Sequence, residues 1–358
     1  MHGHCDATLC QIIPPHMLES MAKSPNKKVR DAAISNIAAA ERARAARATL
    51  AEVRPRMISA LALGVSTKKI RVIHDAKRKP NLNGTVVRRE GDSNASDKEV
   101  DEAYRFSGYV HDFYRKVFSR SSINNRGLPL KSSVRYREDP AEAYNNAFWW
   151  QDQMAYGDGD GMVFKRFTTS LDVVGHELTH GVVEYEANLL YRSESGALNE
   201  SFADVFGSLI KQWQKNQTAK QADWLIGNEL LHETTTRKAL RSLKAPGTAY
   251  QNDPDLGSDP QPAHMDDKYT GFADNQGVHI NSGIPNHAFY IAAVEIGGRA
   301  WEKAGRIWYD ALDRGLKPDS DFEDCAKATY ISAGMLYGPG SAEQKAVKKG
   351  WVTVGLSL

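Results

Sequence analysis

One eleven-residue stretch constrains this chain more than any other: Leu171-Asp-Val-Val-Gly-His-Glu-Leu-Thr-His-Gly181. Read as a helix, it puts His176 and His180 one turn apart on one face, so both imidazoles can bind one ion. Glu177 sits beside them, near that ion and able to reach a water bound to it. A surface helix with two unrelated histidines would show the same five residues, so the motif needs a partner. The partner is Gly196-Ala-Leu-Asn-Glu-Ser-Phe-Ala-Asp204, on a second predicted helix. Nineteen residues lie between His180 and Glu200 (200 − 180 − 1). If the two helices form a hairpin, Glu200 faces the histidines as a third ligand. Asp204, one turn further on, is placed to accept the outer N–H of one ligand histidine, and Asn199 to steady the other. Two histidines and a glutamate with a fourth position open for water are the donor set of a catalytic zinc rather than a structural one, and no cysteine lies nearby.

The rest of the chain accommodates such a site. Its 358 residues suggest two domains with an appendage, and 46 Lys/Arg against 44 Asp/Glu gives no electrostatic case for nucleic acid. The charge is uneven, since residues 1–68 hold ten Lys/Arg against five Asp/Glu, which marks a separable basic segment. Three cysteines (Cys5, Cys10 and Cys325) make no disulfide framework. The opening MHGHCDATLCQIIPPHML lacks the basic and apolar regions of a secretory signal. The apolar run Met57–Val65 is too short to span a bilayer. A cytoplasmic protein, or one released by a non-standard route, is the expectation.

Residues 26–63 read as a helix that Pro55 kinks or ends, with an apolar face made mostly of Ala; packing on the acidic body suits it better than a membrane surface. IRVIHDA and GTVVRREG read as two strands joined by a turn, and residues 100–118 as a helix. Signals mix over 123–170, where Tyr156-Gly-Asp-Gly-Asp-Gly161 reads as a tight turn rather than a calcium loop. Helices are expected at 171–186, 197–215, 283–297, 299–315, 321–336 and 341–353, with ordered loops over 245–278. The fold class is α+β: a helical segment over 1–68, a strand-rich lobe over 69–170 and a helical lobe over 171–358, with the zinc cleft between the lobes.

NNAFW, YGDGDG, HELTH, GALNESFAD and GVHINSG, in this order along the chain, resemble the thermolysin-like metallopeptidases from about Arg71 to the C-terminus. The resemblance implies a zinc-dependent endopeptidase, with Glu177 as the base that takes a proton from the zinc-bound water and delivers it to the leaving amine. It implies Tyr191 and His279 as donors to the developing oxyanion, with Asp274 orienting His279. It implies Asn146 and Ala147 as an edge that pairs with the substrate backbone, and Arg241 as the holder of a substrate carbonyl. Phe164, Phe167, Val173, Ile226 and Leu240 would line the pocket for the residue after the cleaved bond, favouring a bulky apolar side chain there, with Phe167 making the pocket smaller. Without the resemblance Tyr191 reads as a packed aromatic, Arg241 as a surface arginine and the five apolar residues as core.

One feature departs from the family. Asp172 and Asp223 match carboxylates of its double calcium site, but Lys211, Leu225 and Asn228 stand where further carboxylates belong. A lysine between two cations is unfavourable, so the double site is expected to be absent, with a single calcium elsewhere left open. The stretch Ile13-Pro-Pro-His-Met-Leu18 is similar to the short prosegment of the protealysin subgroup. That implies a self-inhibited precursor in which Pro14, Pro15 and Leu18 obstruct the cleft until a cut around residues 55–70. The expected partners are protein or peptide substrates and the chain's own prosegment, and a monomer is expected. Two other readings remain open: a zinc aminopeptidase, and a catalytically silent zinc-binding interaction protein. The match at Asn146-Ala147 and His279 counts against the first, and the presence of Glu177, Tyr191 and His279 against the second.

Overall fold

Turn-formers and aromatics hide any period between residues 123 and 170, yet that stretch supplies three of the five strands of the main sheet. The computed structural model describes residues 11–51 (side chains through Glu41), 68–150, 152–234 and 236–358. Strands β1 (Arg71–Asp75) and β2 (Thr85–Arg89) pair antiparallel. A crossover through helix α3 (Lys98–Phe118) then lays β3 (Leu130–Tyr136) parallel to β1. The hairpin of β4 (Ala147–Trp150) and β5 (Gln153–Gly157) completes the sheet in the order β2-β1-β3-β5-β4. β5 is buried along its whole length, so no alternation shows in its sequence. β4 is an edge strand, and its free side faces the cleft segment described below.

α3 follows from its sequence. The Asp97 carboxylate accepts the N–H groups of Glu99 and Val100 as an N-cap. Val100, Ala103, Tyr104, Ser107, Val110, Tyr114 and Val117 recur at helical spacing and are buried. At the end of β5, Asp160 closes the glycine-rich turn. One of its oxygens accepts the N–H groups of Met162, Val163 and Phe164, and the other accepts from Asn145 Nδ2 at 2.8 Å. The turn is therefore built on this carboxylate's own hydrogen bonds.

Helices α4 (Leu171–Tyr185) and α5 (Ser193–Lys215) form the hairpin that the motifs require. Two glycines bring them together: a Cβ on Gly207 would lie 2.5 Å from the Asp172 carbonyl oxygen, and one on Gly175 would lie 3.2 Å from the Gly207 Cα. Two short strands follow, β6 (Leu225–Ile226) and β7 (Arg241–Ser242), paired so that Ile226 stands opposite Arg241. The loop region expected over 245–278 ends in a helix, α6 (Ala273–Asn281). It escapes the sequence pattern because Asp274, Asn275, Gln276 and Gly277 have φ between +50° and +80°, a left-handed turn with no apolar periodicity.

Helices α7 (Gly283–Ile296), α8 (Ala304–Asp310), α9 (Phe322–Tyr337) and α10 (Ala342–Thr353) complete the second lobe around Phe289, Trp308 and Trp351. The helix expected over 299–315 is shorter. Residues 299–303 form a turn after the left-handed Gly297 and Gly298, and Ala311–Gly315 widens into a π-turn. Cys325 is buried and free, while Cys5 and Cys10 lie outside the described residues.

The N-terminal segment adds two helices. α1 (Pro15–Met21) starts on its proline, and α2 (Lys27–Ala51) covers the described part of the expected 26–63 helix, whose Pro55 lies outside the described residues. α2 buries Val29, Ala32, Ala33 and Ala39. Its Asn36 donates to the Ala143 carbonyl and accepts from the Asn145 N–H, pinning the helix to the loop before β4. Within α2, Lys27 pairs with Asp31 of the same helix. No helix of the described residues is long and apolar enough to cross a membrane.

Candidate active site

The α4–α5 hairpin places His176, His180 and Glu200 in one fully buried cluster. Asp204 Oδ1 lies 2.9 Å from His176 Nδ1, and Asn199 Oδ1 lies 2.8 Å from His180 Nδ1. Each acceptor fixes its imidazole with the proton on Nδ1, which leaves two Nε2 lone pairs only 3.0 Å apart. Each Nε2 is 3.5 Å from a Glu200 oxygen, and Glu200 Oε2 has no hydrogen-bond partner among the described residues. Burial drives the pKa of both histidines down to about 4, so neither supplies the missing positive charge itself. Two converging lone pairs and a buried carboxylate oxygen form a donor set that fits a zinc ion.

Asp204 is shared. Arg241 Nε and Nη2 clamp its two oxygens at 2.8 Å each, and Asn286 Nδ2 adds a third bond at 2.9 Å. Although burial raises its pKa, Arg241 and His176 outweigh burial and hold Asp204 well below the usual carboxylate range. Arg241 is thus buried rather than on the surface, anchored through one side of its guanidinium with Nη1 free to reach the cleft.

Glu177 is buried, and among the described residues neither of its oxygens has a partner of hydrogen-bond geometry. Burial and then Glu200 raise its pKa well above normal, while the backbone N–H groups of Ile12 and Trp149 offset part of that. Across the cleft, the left-handed turn aims Asp274 at His279. One oxygen accepts from His279 Nδ1 at 2.6 Å and the other from its backbone N–H at 2.8 Å. Burial opposes protonation of His279, but Asp274 and Glu200 prevail and push its pKa up to about 9, so both ring nitrogens donate near neutrality. Tyr191 donates to Glu200, and its oxygen stands 3.1 Å from His279 Nε2.

The first residues of the described chain occupy this cleft. His279 Nε2 is 2.9 Å from the Gln11 carbonyl, and Arg241 Nη1 donates to the Ile12 carbonyl at 3.0 Å. Ile13 N–H donates to Asn146 Oδ1 at 3.1 Å, and Asn146 Nδ2 donates to the Ile13 carbonyl at 3.4 Å. Gln11 also pairs antiparallel with Phe148, one residue beyond Ala147 on β4. Pro14 and Pro15 only start α1, and Leu18 is buried on it. The backbone bonded to His279, Arg241 and Asn146 is that of residues 11–13, just before Pro14. Phe164, Phe167, Val173, Ile226 and Leu240 are all fully buried within the core that also contains Ile12.

Several contributors are not found by sequence reasoning. Gln11 and Ile12 give no signal of their own, and Ile13 enters only as the start of the Ile13–Leu18 stretch. Tyr250, 2.9 Å from His16 Nε2, lies in an irregular loop. Asn286 has one signal, a lone amide inside the apolar run of α7. The cluster matched to calcium ligands is filled from within. Lys211 Nζ lies 2.8 Å from Asp172, 3.1 Å from Asp223, 2.6 Å from the Leu225 carbonyl and 3.3 Å from Asn228.

Residues 59–184 match the family model for the thermolysin metallopeptidase catalytic domain, and residues 187–356 that for its alpha-helical domain. An extracellular metalloprotease of Pectobacterium carotovorum subsp. carotovorum is 45% identical over 357 residues, covering 98% of this chain and 97% of that protein. Protease PrtS of a Photorhabdus strain is 48% identical over 297 residues, 82% of this chain and 78% of that one. Among solved structures, the precursor of protealysin from Serratia proteamaculans superposes with a TM-score of 0.86 at 45% identity, covering 97% of this chain and all of that one.

Proposed function

The chain belongs to the thermolysin family of zinc metalloendopeptidases, and from that premise we propose that it is made as a self-inhibited precursor whose N-terminal segment occupies the substrate cleft. The observation that carries this is the run of bonds from Gln11, Ile12 and Ile13 to His279, Arg241 and Asn146. An extended backbone lying on an edge strand and bonded by these side chains has the form of a bound peptide. The prosegment is proposed to span residues 1–68, with the activating cut around 55–70, mostly outside the described residues.

Zinc held by His176, His180 and Glu200 would polarise the peptide carbonyl and acidify a bound water. Glu177 is the carboxylate that takes a proton from the attacking water and returns it to the leaving nitrogen. His279, doubly protonated and held by Asp274, donates to the carbonyl oxygen as negative charge develops there, and Tyr191 stands beside it as a second donor. Arg241 and Asn146 hold the next two residues of the substrate, and the pocket of Phe164, Phe167, Val173, Ile226 and Leu240 selects a bulky apolar side chain after the cleaved bond. The Pectobacterium relative is named extracellular, and action outside the cell is proposed for this chain too.

The test is casein hydrolysis by the full-length protein before and after removal of the prosegment with trace trypsin, with and without a zinc chelator. Activity that rises on removal and vanishes with the chelator supports the reading. Equal activity of the intact and trimmed protein would show that the segment does not inhibit.

A further inference from the structure

The N-terminal segment is threaded in a particular direction and register. Reading from Gln11 onward, its backbone groups meet different chemistry. Ile12 C=O is held by Arg241, and Ile13 N–H and C=O by Asn146, groups that bind and orient without reacting. Only the Gln11–Ile12 peptide differs. Its oxygen accepts from His279 Nε2, the same nitrogen that lies 3.1 Å from the Tyr191 hydroxyl and 3.6 Å from Glu200. A single amide thus has its oxygen on His279 Nε2, while the carbonyl and N–H that follow it are held by Arg241 and Asn146. The residue after it, Ile12, is bulky, apolar and fully buried.

We propose that the Gln11–Ile12 bond is itself a substrate, and that the full-length enzyme cuts its own chain there in cis. This rests on the protease reading above and adds a processing site to it. Water adds to the Gln11 carbonyl carbon, its proton passing to Glu177. The C–N bond then breaks as Glu177 gives that proton to the Ile12 nitrogen. The products are residues 1–11, ending in a carboxylate and carrying Cys5 and Cys10 away, and residues 12–358, beginning with an amine. No oxidant or co-reactant other than water is needed.

The cut does not release the inhibitor. Contacts that dock the segment lie after it: His16 with Tyr250 at 2.9 Å, Ser24 Oγ with Asp255 at 2.6 Å, and Asn36 with the 143–145 loop. Trimming at Gln11–Ile12 is therefore a step separate from activation and precedes it.

The experiment follows zinc-loaded full-length wild type and Glu177→Gln by intact mass and N-terminal sequencing, at two concentrations about tenfold apart. Wild type should gain a new N-terminus at Ile12 with the same first-order rate at both concentrations, before casein activity appears, and Glu177→Gln should not. Ile12→Pro, which removes the hydrogen from the leaving nitrogen, should block the cut. A rate that scales with concentration overturns the cis step. An intact Gln11–Ile12 bond in a precursor that trypsin converts to an active caseinase overturns the proposal and leaves the protease reading standing. Failure of both the cut and the trypsin-activated caseinase overturns both.

Discussion

Two clusters with a buried carboxylate are built on the α4–α5 hairpin, and they solve the same electrostatic problem in opposite ways. Near the start of α4 and the end of α5, Asp172 and Asp223 enclose Lys211, an ammonium that is part of the chain. Burial alone would lower the Lys211 pKa and raise that of Asp172, but their pairing reverses both shifts. In the middle of the same hairpin, His176, His180 and Glu200 converge with no lysine or arginine among them, and Glu200 Oε2 is left without a partner among the described residues. A tethered cation neutralises its cluster permanently and leaves no position for chemistry. A cluster that must recruit its cation from solution keeps a coordination position open for water and substrate. The difference lies in a few side chains, since one pair of helices carries both clusters.

The largest expected effect tests the recruiting cluster. Glu200→Gln should lose bound zinc and lower casein hydrolysis to background, checked by metal analysis of the purified protein alongside the assay. Retained zinc with full activity would remove Glu200 from the ligand set. The tethered cluster comes next. Lys211→Met leaves Asp172 buried without its cation, and should destabilise the fold by roughly 3–5 kcal/mol in a denaturant titration. Adding Asp172→Asn should recover much of that loss. In the same experiment, wild-type stability should not respond to a calcium-selective chelator, and a large response would show that the chain binds calcium at another site.

A smaller effect concerns how the open cluster is held. Asp204→Asn removes a charge that orients His176 and anchors the buried Arg241, and should weaken zinc binding by about 10–100-fold, measured by competition with a chromogenic chelator. The smallest expected effect separates a paired group from one kept neutral. Burial lowers the His16 pKa from its ordinary 6.5 to about 4, and Nδ1 has no partner among the described residues. Because the docked segment holds His16 below its free pKa, docking is fully supported above pH 6.5 and weakens as pH falls toward 4. The loss should be up to about tenfold per pH unit. Trypsin sensitivity of the Glu177→Gln precursor at neutral and mildly acidic pH reads this directly, and His16→Phe should flatten it.

Much of the recruiting cluster is legible in the sequence. His176, Glu177, His180 and Glu200 need only helical spacing and a hairpin, both of which are local. Asp204 and Asn199 follow from one more helical turn. The strands from Leu130 to Gly157 are not legible, because a strand buried on both faces loses its alternation and β4 is dense in aromatics. The left-handed turn over 274–277 is equally hidden. Its backbone is held by Asp274 bonding forward to His279, a tertiary constraint that opposes the local preference of three non-glycine residues.

The N-terminal segment divides along the same line. Its helical character, basic charge and Pro-Pro start are local properties that the residues display directly. Its register in the cleft depends on which carbonyl meets His279 and which N–H meets Asn146, and no periodicity encodes that.

By itself, the sequence determined the grouping of His176, Glu177 and His180 and the helices that carry them and Glu200, because residues three and four apart on a helix share a face whatever surrounds them. Only the tertiary structure decided that Lys211 stands between Asp172 and Asp223, that Arg241 braces Asp204, and that Gln11–Ile12 lies against His279. These are meetings of residues far apart along the chain, and the packing of whole lobes sets their distances.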